Sequence, residues 1–455
     1  MQAPRDAIWP RLPRLNPAQL VLLAFLGFIA VGTTLLALPI SHAGGPHALV
    51  DDLFNATSAV CVTGLSTLDP GSRYSLVGQV VLMGLIQVGG LGYMTLFTLS
   101  MLLVGRRLTM EDRLAVSQVT EQPGIGGLVR FIRNIARLTL AFEAIGFALL
   151  ALAMVPELGW GRGLFNALFH AVSAFNNAGF SLMGANIVHW QAQPLVLLTL
   201  CGLIILGGLG YNVNQEWVRR LVLRREPNHR WDTLMAIILA ATAVLLVSGT
   251  GLFWFFEAGN PRTIGDMPVG RQLLNAFFMA VQPRTAGFNS IDVGALTDPT
   301  LMMTMVLMFL GAGPGGTSGG IKLTTAVITL AAILATVRGQ AQVPLFNLRR
   351  VVSEQQVRKA FTVVAVSLGV VVTSTILLAS LEPLPFLPLL FEAVSAFSTT
   401  GLSMGITSQL STAGKLVIVA TMLIGRVGVL AILLSVVAPR RPSRVQYMED
   451  PLLIG

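Results

Sequence analysis

Four glycines carry the most suggestive chemistry in this sequence. Gly64, Gly179, Gly287 and Gly401 follow one another at steps of 115, 108 and 114 residues. Each closes a short, moderately apolar segment, about 48–65, 163–180, 271–288 and 386–402. Three of these read alike: Phe54-Asn55-Ala56-Thr57-Ser58-Ala59-Val60-Cys61-Val62-Thr63-Gly64, Phe169-His170-Ala171-Val172-Ser173-Ala174-Phe175-Asn176-Asn177-Ala178-Gly179, and Phe391-Glu392-Ala393-Val394-Ser395-Ala396-Phe397-Ser398-Thr399-Thr400-Gly401. They share Phe, Ala, Ser, Ala and Gly at the same offsets. The third, Phe277-Phe278-Met279-Ala280-Val281-Gln282-Pro283-Arg284-Thr285-Ala286-Gly287, keeps the Phe and the Gly. A fixed period of this kind marks an internal repeat. Glycine permits backbone conformations barred to other residues and lets backbones crowd together. A ring of carbonyls from such loops can replace the hydration shell of a small cation. The plainer alternative, four unrelated loops with turn glycines, does not account for the common period.

The elements that must hold these segments are apolar. Hydrophobic residues make up 54% of the 455-residue chain and charged residues 11%, under half the charge of an ordinary soluble domain. Long apolar windows lie near 18–38, 76–104, 135–155, 194–213, 233–256, 299–338, 360–381 and 414–438, and one glycine segment falls inside each successive pair. The first window, from Ala18 to Leu38, is long enough to span and reads as a helix, not as a cleavable signal. Non-helical backbone at membrane depth must be buried in protein or line water, so four glycine segments imply one shared path. The expected fold is all-α and integral to the membrane: eight transmembrane helices and four re-entrant pore helices in four pseudo-symmetric repeats. The boundaries are 1–17 for an N-terminal segment, 18–105, 130–222, 231–338 and 357–439 for the repeats, and 440–455 for a tail. Each short helix before a glycine turns its partly negative C-terminal end toward a cation.

Charge gives the orientation. With the N-terminus inside, inner segments hold 22 basic residues, among them Arg106, Arg107, Arg219, Arg220, Arg224, Arg225, Arg349, Arg350, Arg440 and Arg441. Outer segments hold 6: Arg73, Arg162, Arg262, Arg271, Arg284 and Lys415. This positive-inside bias accounts for the net charge of +9 without any nucleic acid.

Further motifs follow the glycine segments. Gly89-Gly90-Leu91-Gly92-Tyr93 recurs as Gly207-Gly208-Leu209-Gly210-Tyr211, with Gly425–Gly428 in the same relative place; small residues let membrane helices approach closely. In the third repeat that place is taken by Gly311-Ala312-Gly313-Pro314-Gly315-Gly316-Thr317-Ser318-Gly319-Gly320. This run formally matches G-x-G-x-x-G, but its flanks are membrane helix rather than strand and helix, so no dinucleotide site is inferred. A Gly/Pro run breaks the helix, either as a passive kink or as a loop lining the path. Arg426 lies inside the last window and must face the path or find a partner, such as Glu392 or freed carbonyls of the glycine-rich loop. Glu143 and Glu392 read as hydrogen-bonded structural carboxylates. Asn176 and Asn177 read as braces of the second loop, and His170 as structural. Cys61 and Cys201 are far apart and imply no disulfide. No catalytic triad, zinc spacing or paired carboxylates emerge, so the chain is not read as an enzyme.

The segments Val62-Thr63-Gly64, Asn177-Ala178-Gly179, Thr285-Ala286-Gly287 and Thr399-Thr400-Gly401 resemble the four filter loops of the Trk/Ktr/HKT cation transporter superfamily, along nearly the whole chain. Within it the sequence is similar to KtrB-type membrane subunits; TrkH-type subunits commonly carry extra N-terminal spans, for which this chain has no room. The resemblance implies that these twelve residues bind K⁺ through their carbonyls, Gly64 arguing for K⁺ over Na⁺. It implies that Gly311–Gly320 is an intramembrane gate below the filter and that Arg426 raises a barrier beneath it. It further implies a bacterial cytoplasmic membrane with both termini inside. A homodimer is implied too, supported by a tail, Tyr447–Gly455, similar to KtrB tails. A separate cytosolic nucleotide-binding ring of KtrA or TrkA type, carrying ATP or ADP, and Na⁺ as a candidate activator complete the implied system. The rival readings are a Na⁺- or H⁺-coupled secondary transporter and a non-conducting membrane scaffold.

Overall fold

The computed structural model describes residues 17–45, 47–91, 128–221, 229–345, 350–429 and 432–433. Gly92, Tyr93, many of the inner basic residues and the tail from Tyr447 lie outside the described residues. Within them the chain is mostly helical, in four similar groups, each with a lead helix, a short helix and a return helix. The lead helices are Pro17–Leu36, Leu128–Leu158, His229–Glu257 and Glu354–Leu381. The short helices are Leu49–Val60, Trp160–Phe175, Val269–Val281 and Phe386–Ser398. The return helices begin at Leu76, Pro194, Asp298 and Thr412. A small antiparallel hairpin, pairing Val343–Leu345 with Arg350–Val352, joins the third group to the fourth.

Local sequence explains the helix ends. Ser75 and Ser411 cap two return helices by accepting from Gly78 N and Gly414 N, which satisfies donors the first turn leaves free. Pro194 opens another at the first turn, where its missing N–H costs nothing. Ser353 and Gln356 form a capping box for the last lead helix.

The four lead helices are the described helices long and apolar enough to cross a bilayer, with only 22–28% of each apolar window buried. Leu140, Leu152, Val247, Phe255, Val372 and Ile376 all point outward. Exposing such side chains to water would forfeit about 25 cal/mol for every Å²; against lipid they cost nothing. The second and fourth return helices differ from the continuous spans read from sequence, and the third is broken at the Gly/Pro run as expected. The second bends by 106° between Pro194–Leu209 and Tyr211–Val218, at Gly210 with φ 96°. The third is cut into Asp298–Phe309 and Leu323–Val337 by the loop between them. The fourth ends against Gly428, φ 91°.

The groups close into a ring. Each return helix packs on the short helix of the next group: Leu76–Gly90 on Trp160–Phe175, Pro194–Leu209 on Val269–Val281, Asp298–Phe309 on Phe386–Ser398, and Thr412–Val427 on Leu49–Val60. The last contact joins the end of the chain to its beginning, reinforced by an ion pair of Lys415 with Asp51 at 2.7 Å. Phe54, Phe169, Phe278 and Phe391 are fully buried, one on each short helix.

Candidate functional site

The short helices stop just ahead of the four glycines, and the chain reverses there through a shared backbone pattern. Two residues before each glycine sits a residue with left-handed φ: Val62 at 56°, Asn177 at 57°, Thr285 at 67° and Thr399 at 51°. The glycines themselves have φ of 95°, 69°, 75° and 91° in chain order. Three of the left-handed residues are β-branched, for which this region is a real outlier. Strain of order 1–3 kcal/mol per residue persists only where surrounding structure enforces it. Its recurrence at one level of four repeats marks a site.

Buried side chains and carbonyls hold the reversal. Thr63 N, Ala178 N and Thr400 N donate to the carbonyls of Ser58, Ser173 and Ser395 at 2.7, 2.7 and 2.9 Å. Ser58 Oγ accepts from Gly64 N at 3.0 Å, Ser395 Oγ accepts from Gly401 N at 3.1 Å, and Ser173 Oγ donates to Phe180 O at 2.8 Å. The third repeat lacks the serine. There Gln282 supplies both pieces, its carbonyl accepting from Ala286 N at 3.0 Å and its Oε1 from Phe288 N at 3.0 Å.

The four glycines meet. A methyl group added to Gly64 would stand 3.1 Å from Gly179 Cα; on Gly179, 3.0 Å from Gly287 Cα; on Gly287, 3.1 Å from Gly401 Cα; and on Gly401, 2.9 Å from Gly64 Cα. The order is cyclic. At each step the hypothetical methyl also collides with the carbonyl oxygen of Ala178, Ala286, Thr400 or Thr63. No residue but glycine fits this ring. Four carbonyl-bearing loops thus face one axis, with four helix C-termini aimed at it, an arrangement that favours a cation.

Gly311–Gly320 packs against two return helices and the fourth glycine loop. Gly313 N donates to Gly208 O at 2.9 Å, Tyr211 N to Gly315 O at 3.1 Å, and Gly320 N to Gly425 O at 3.2 Å. A side chain on Gly319 would strike Thr399. Arg426 is buried and bonds the carbonyls of Thr317 in the loop and Gly89 in the first return helix. The loop-carbonyl partner weighed from sequence is therefore the one observed. Glu392 bonds Ser403 and Thr407 instead. Lys322, which the sequence reading left without a role, donates to Ser318 O from the other end of the loop. Two basic side chains therefore hold the loop, Lys322 through Ser318 O and Arg426 through Thr317 O.

Gly89, Gly207 and Gly425 serve a contact sharper than helix–helix approach. A methyl on any of them would run into the carbonyl of Val60, Phe175 or Phe397, in the last turn of the group's own short helix. Asn176 Nδ2 donates to Glu143 Oε1 at 2.9 Å and to Gln87 Oε1 at 3.2 Å. Asn177 Nδ2 donates to Arg284 O in the neighbouring loop at 3.3 Å. His170 bonds Asn166 O and Ser181 Oγ. Cys61 and Cys201 are free and buried. Arg284, counted from sequence among the outer charges, is buried behind the third loop and donates to Thr242 Oγ1 at 3.1 Å. A position three residues after a helical segment rich in Phe and Met gives a weak sequence signal for burial, and the charge masked it.

A closed, four-fold assembly of glycine loops within a helical membrane protein defines a cation-pathway architecture. The chain belongs to the TrkH family of cation transport proteins, which matches residues 19–443. It is 40% identical over 437 residues to a Ktr system potassium uptake protein B of Vibrio alginolyticus, covering 96% of this chain and 94% of that one. It is 38% identical over 445 residues to the protein of the same description from Bacillus subtilis, covering 97% of each. Its fold matches the crystal structure of the potassium transporter TrkH from Vibrio parahaemolyticus with a TM-score of 0.74, at 15% identity, over 95% of this chain and 87% of that one.

Proposed function

We propose that this chain carries K⁺ into the cell, through the four-glycine ring, as the membrane subunit of a Ktr-type uptake system. The observation that carries the reading is the cyclic contact of Gly64, Gly179, Gly287 and Gly401; the potassium uptake proteins it resembles over nearly their full length set the ion. Carbonyls of Val62-Thr63-Gly64, Asn177-Ala178-Gly179, Thr285-Ala286-Gly287 and Thr399-Thr400-Gly401 line the filter. They replace water around a K⁺ driven inward by the membrane potential, worth about 2.3 kcal/mol per charge for each 100 mV. The repeats, 18–105, 130–222, 231–338 and 357–439, each cross the membrane twice around a re-entrant helix, making eight crossings in a bacterial cytoplasmic membrane with both termini inside.

Gly311–Gly320 is the gate: it blocks the axis below the ring and moves aside for conduction. Arg426 holds it closed through Thr317 O and raises the barrier to the ion. A cytosolic nucleotide-binding ring carrying ATP or ADP works the gate, and two copies of this chain pair as a homodimer; Na⁺ acts as an activator. The hydrogen bonds that occupy Glu143 and Glu392 favour a channel-like path over obligatory proton coupling. The test is ion flux into liposomes holding the purified chain. K⁺ entry that follows the imposed potential, exceeds Na⁺ entry and is lost in Gly64→Asp supports the reading. Equal flux in Gly64→Asp, or flux that requires an inward Na⁺ or proton gradient, overturns it.

A further inference from the structure

A second cluster of ligating groups lies away from the ring, where the first lead helix hands over to its short helix. His42, His47 and Asp52 each offer one ligand atom, and the three atoms lie within 4.8 Å of one another. We propose that they form a site for a borderline-soft divalent transition metal, with Zn²⁺ as the best fit.

The immediate frame of the cluster is rigid on one side. His42 bridges to Tyr74 as an isolated antiparallel pair, and Ala43 N donates to Arg73 O at 3.0 Å. Asp52, in the first turn of the short helix, is fully buried. Its Oδ1 accepts from Tyr74 Oη at 3.2 Å, and Tyr74 Oη accepts from Asn55 Nδ2 at 3.0 Å. This relay orients the carboxylate in the way outer groups orient metal ligands.

The inner side of the cluster leaves a ligand atom unused. His42, with 6% of its side chain exposed, has its Nε2 in ion-pair contact with Asp52 and makes no other bond there, and Asp52 has no hydrogen-bond partner at Oδ2. Buried polar atoms are almost always paired, so an orphan of this kind needs a partner. His42 Nε2 stands 3.3 Å from Asp52 Oδ1. Two ligands around tetrahedral Zn²⁺ with bonds near 2.0–2.1 Å stand about 3.3 Å apart. Asp51, the next carboxylate, is committed to Lys415.

The other side can adjust. His47 is exposed, and its ring stacks on His42 with centroids 3.6 Å apart. It sits beyond Gly44 and Gly45, with φ of 128° and 90°, and nothing stands within 4 Å of where a Gly44 side chain would be. A small swing brings its nitrogen onto the metal and leaves a fourth position for water. Two imidazoles and a carboxylate suit Zn²⁺ better than Mg²⁺ or K⁺, which prefer oxygen. Bound metal would pin His42 and His47 to the short helix of the first repeat, on the face the orientation above turns outward.

The experiment titrates the full chain in detergent, free of any polyhistidine tag, with Zn²⁺ against a chromophoric chelator, in excess K⁺ and Mg²⁺. It reads the site whichever way the chain lies in the membrane and whether or not it conducts. One Zn²⁺ per chain is expected, with affinity at least tenfold weaker in His47→Ala and in His42→Gln, and unchanged in His189→Ala. Hydrogen exchange at amides 43–45 should slow at least fivefold with Zn²⁺ in the unsubstituted chain and not in His47→Ala. Because His47 is exposed, its variant keeps the fold even if His42→Gln does not. No binding at 100 µM Zn²⁺, equal binding by His47→Ala, or displacement by Mg²⁺ would overturn the proposal.

Discussion

Repeats one, two and four are built alike, and repeat three is built differently at two linked places. In the first group a serine one turn back braces each glycine loop, and a return-helix glycine packs on the short helix's last carbonyls. Ser58, Ser173 and Ser395 do the first job; Gly89, Gly207 and Gly425 do the second. In repeat three, Gln282 replaces the serine, and Gly311 faces carbonyls of its own loop, Ile321 O at 2.7 Å and Gly319 O at 2.8 Å. Three repeats form a fixed frame. Repeat three has released its return helix from that frame, and the freed backbone is bonded to the return helices of repeats two and four and, through Arg426, of repeat one. One side chain changed in the brace is paired with one helix broken in the floor.

Four tests sharpen or break that comparison. The largest effect belongs to the ring shared by all four repeats. Gly64→Ala forces a side chain onto left-handed backbone and against Ala178 O, and K⁺ influx into liposomes should fall about a hundredfold, equivalent to about 2.7 kcal/mol. Next comes the frame. Gly425→Ala drives a methyl into Phe397 O and should cost about 2–3 kcal/mol of overpacking, read as a drop in Tm in detergent. Gly311→Ala, which meets only the loop, should alter flux with a smaller change in Tm; equal losses of stability would erase the distinction between frame and gate.

Third, Arg426→Ala frees Thr317 O and Gly89 O and, on the proposed function, takes a positive charge off the path. Flux should rise about tenfold, or about 1.4 kcal/mol, and Arg426→Lys should lie between; unchanged flux would mean that the loop is not clasped from that side. The smallest effect separates the two kinds of brace. Ser395→Ala removes one hydrogen bond, worth about 1 kcal/mol. Gln282→Ala removes one from a fully buried side chain and leaves a void, so about 2 kcal/mol is expected. Thermal unfolding of both variants decides it, and the reverse order would show that repeat three is held mainly by backbone.

Much of the architecture was legible in the residues because its causes are local. The apolar windows, the 108–115-residue period and the Phe-x-Ala-x-Ser-Ala pattern all point to repeated helix–loop–helix groups. Their meeting on one axis is an inference from repetition. Three things were not legible. Arg284 carries a charge that reads as solvent-facing, yet it is buried behind the third loop. Lys322 reads as one charge in an apolar window, and only the folded loop brings its ammonium onto Ser318 O. Gly207 and Gly425 read as helix–helix spacers, whereas they clear a carbonyl of a short helix some thirty residues earlier.

Composition and periodicity alone determined that the chain is a helical membrane protein with four glycine-bearing loops, because hydropathy and glycine's backbone freedom act within a few residues of where they are written. Tertiary structure alone decided that the loops close in cyclic order, that the last return helix seals against the first short helix, and that Arg426 holds the loop instead of pairing with Glu392. Those outcomes depend on contacts between residues as much as 364 positions apart, and no local propensity encodes which of several buried carbonyls an arginine will reach.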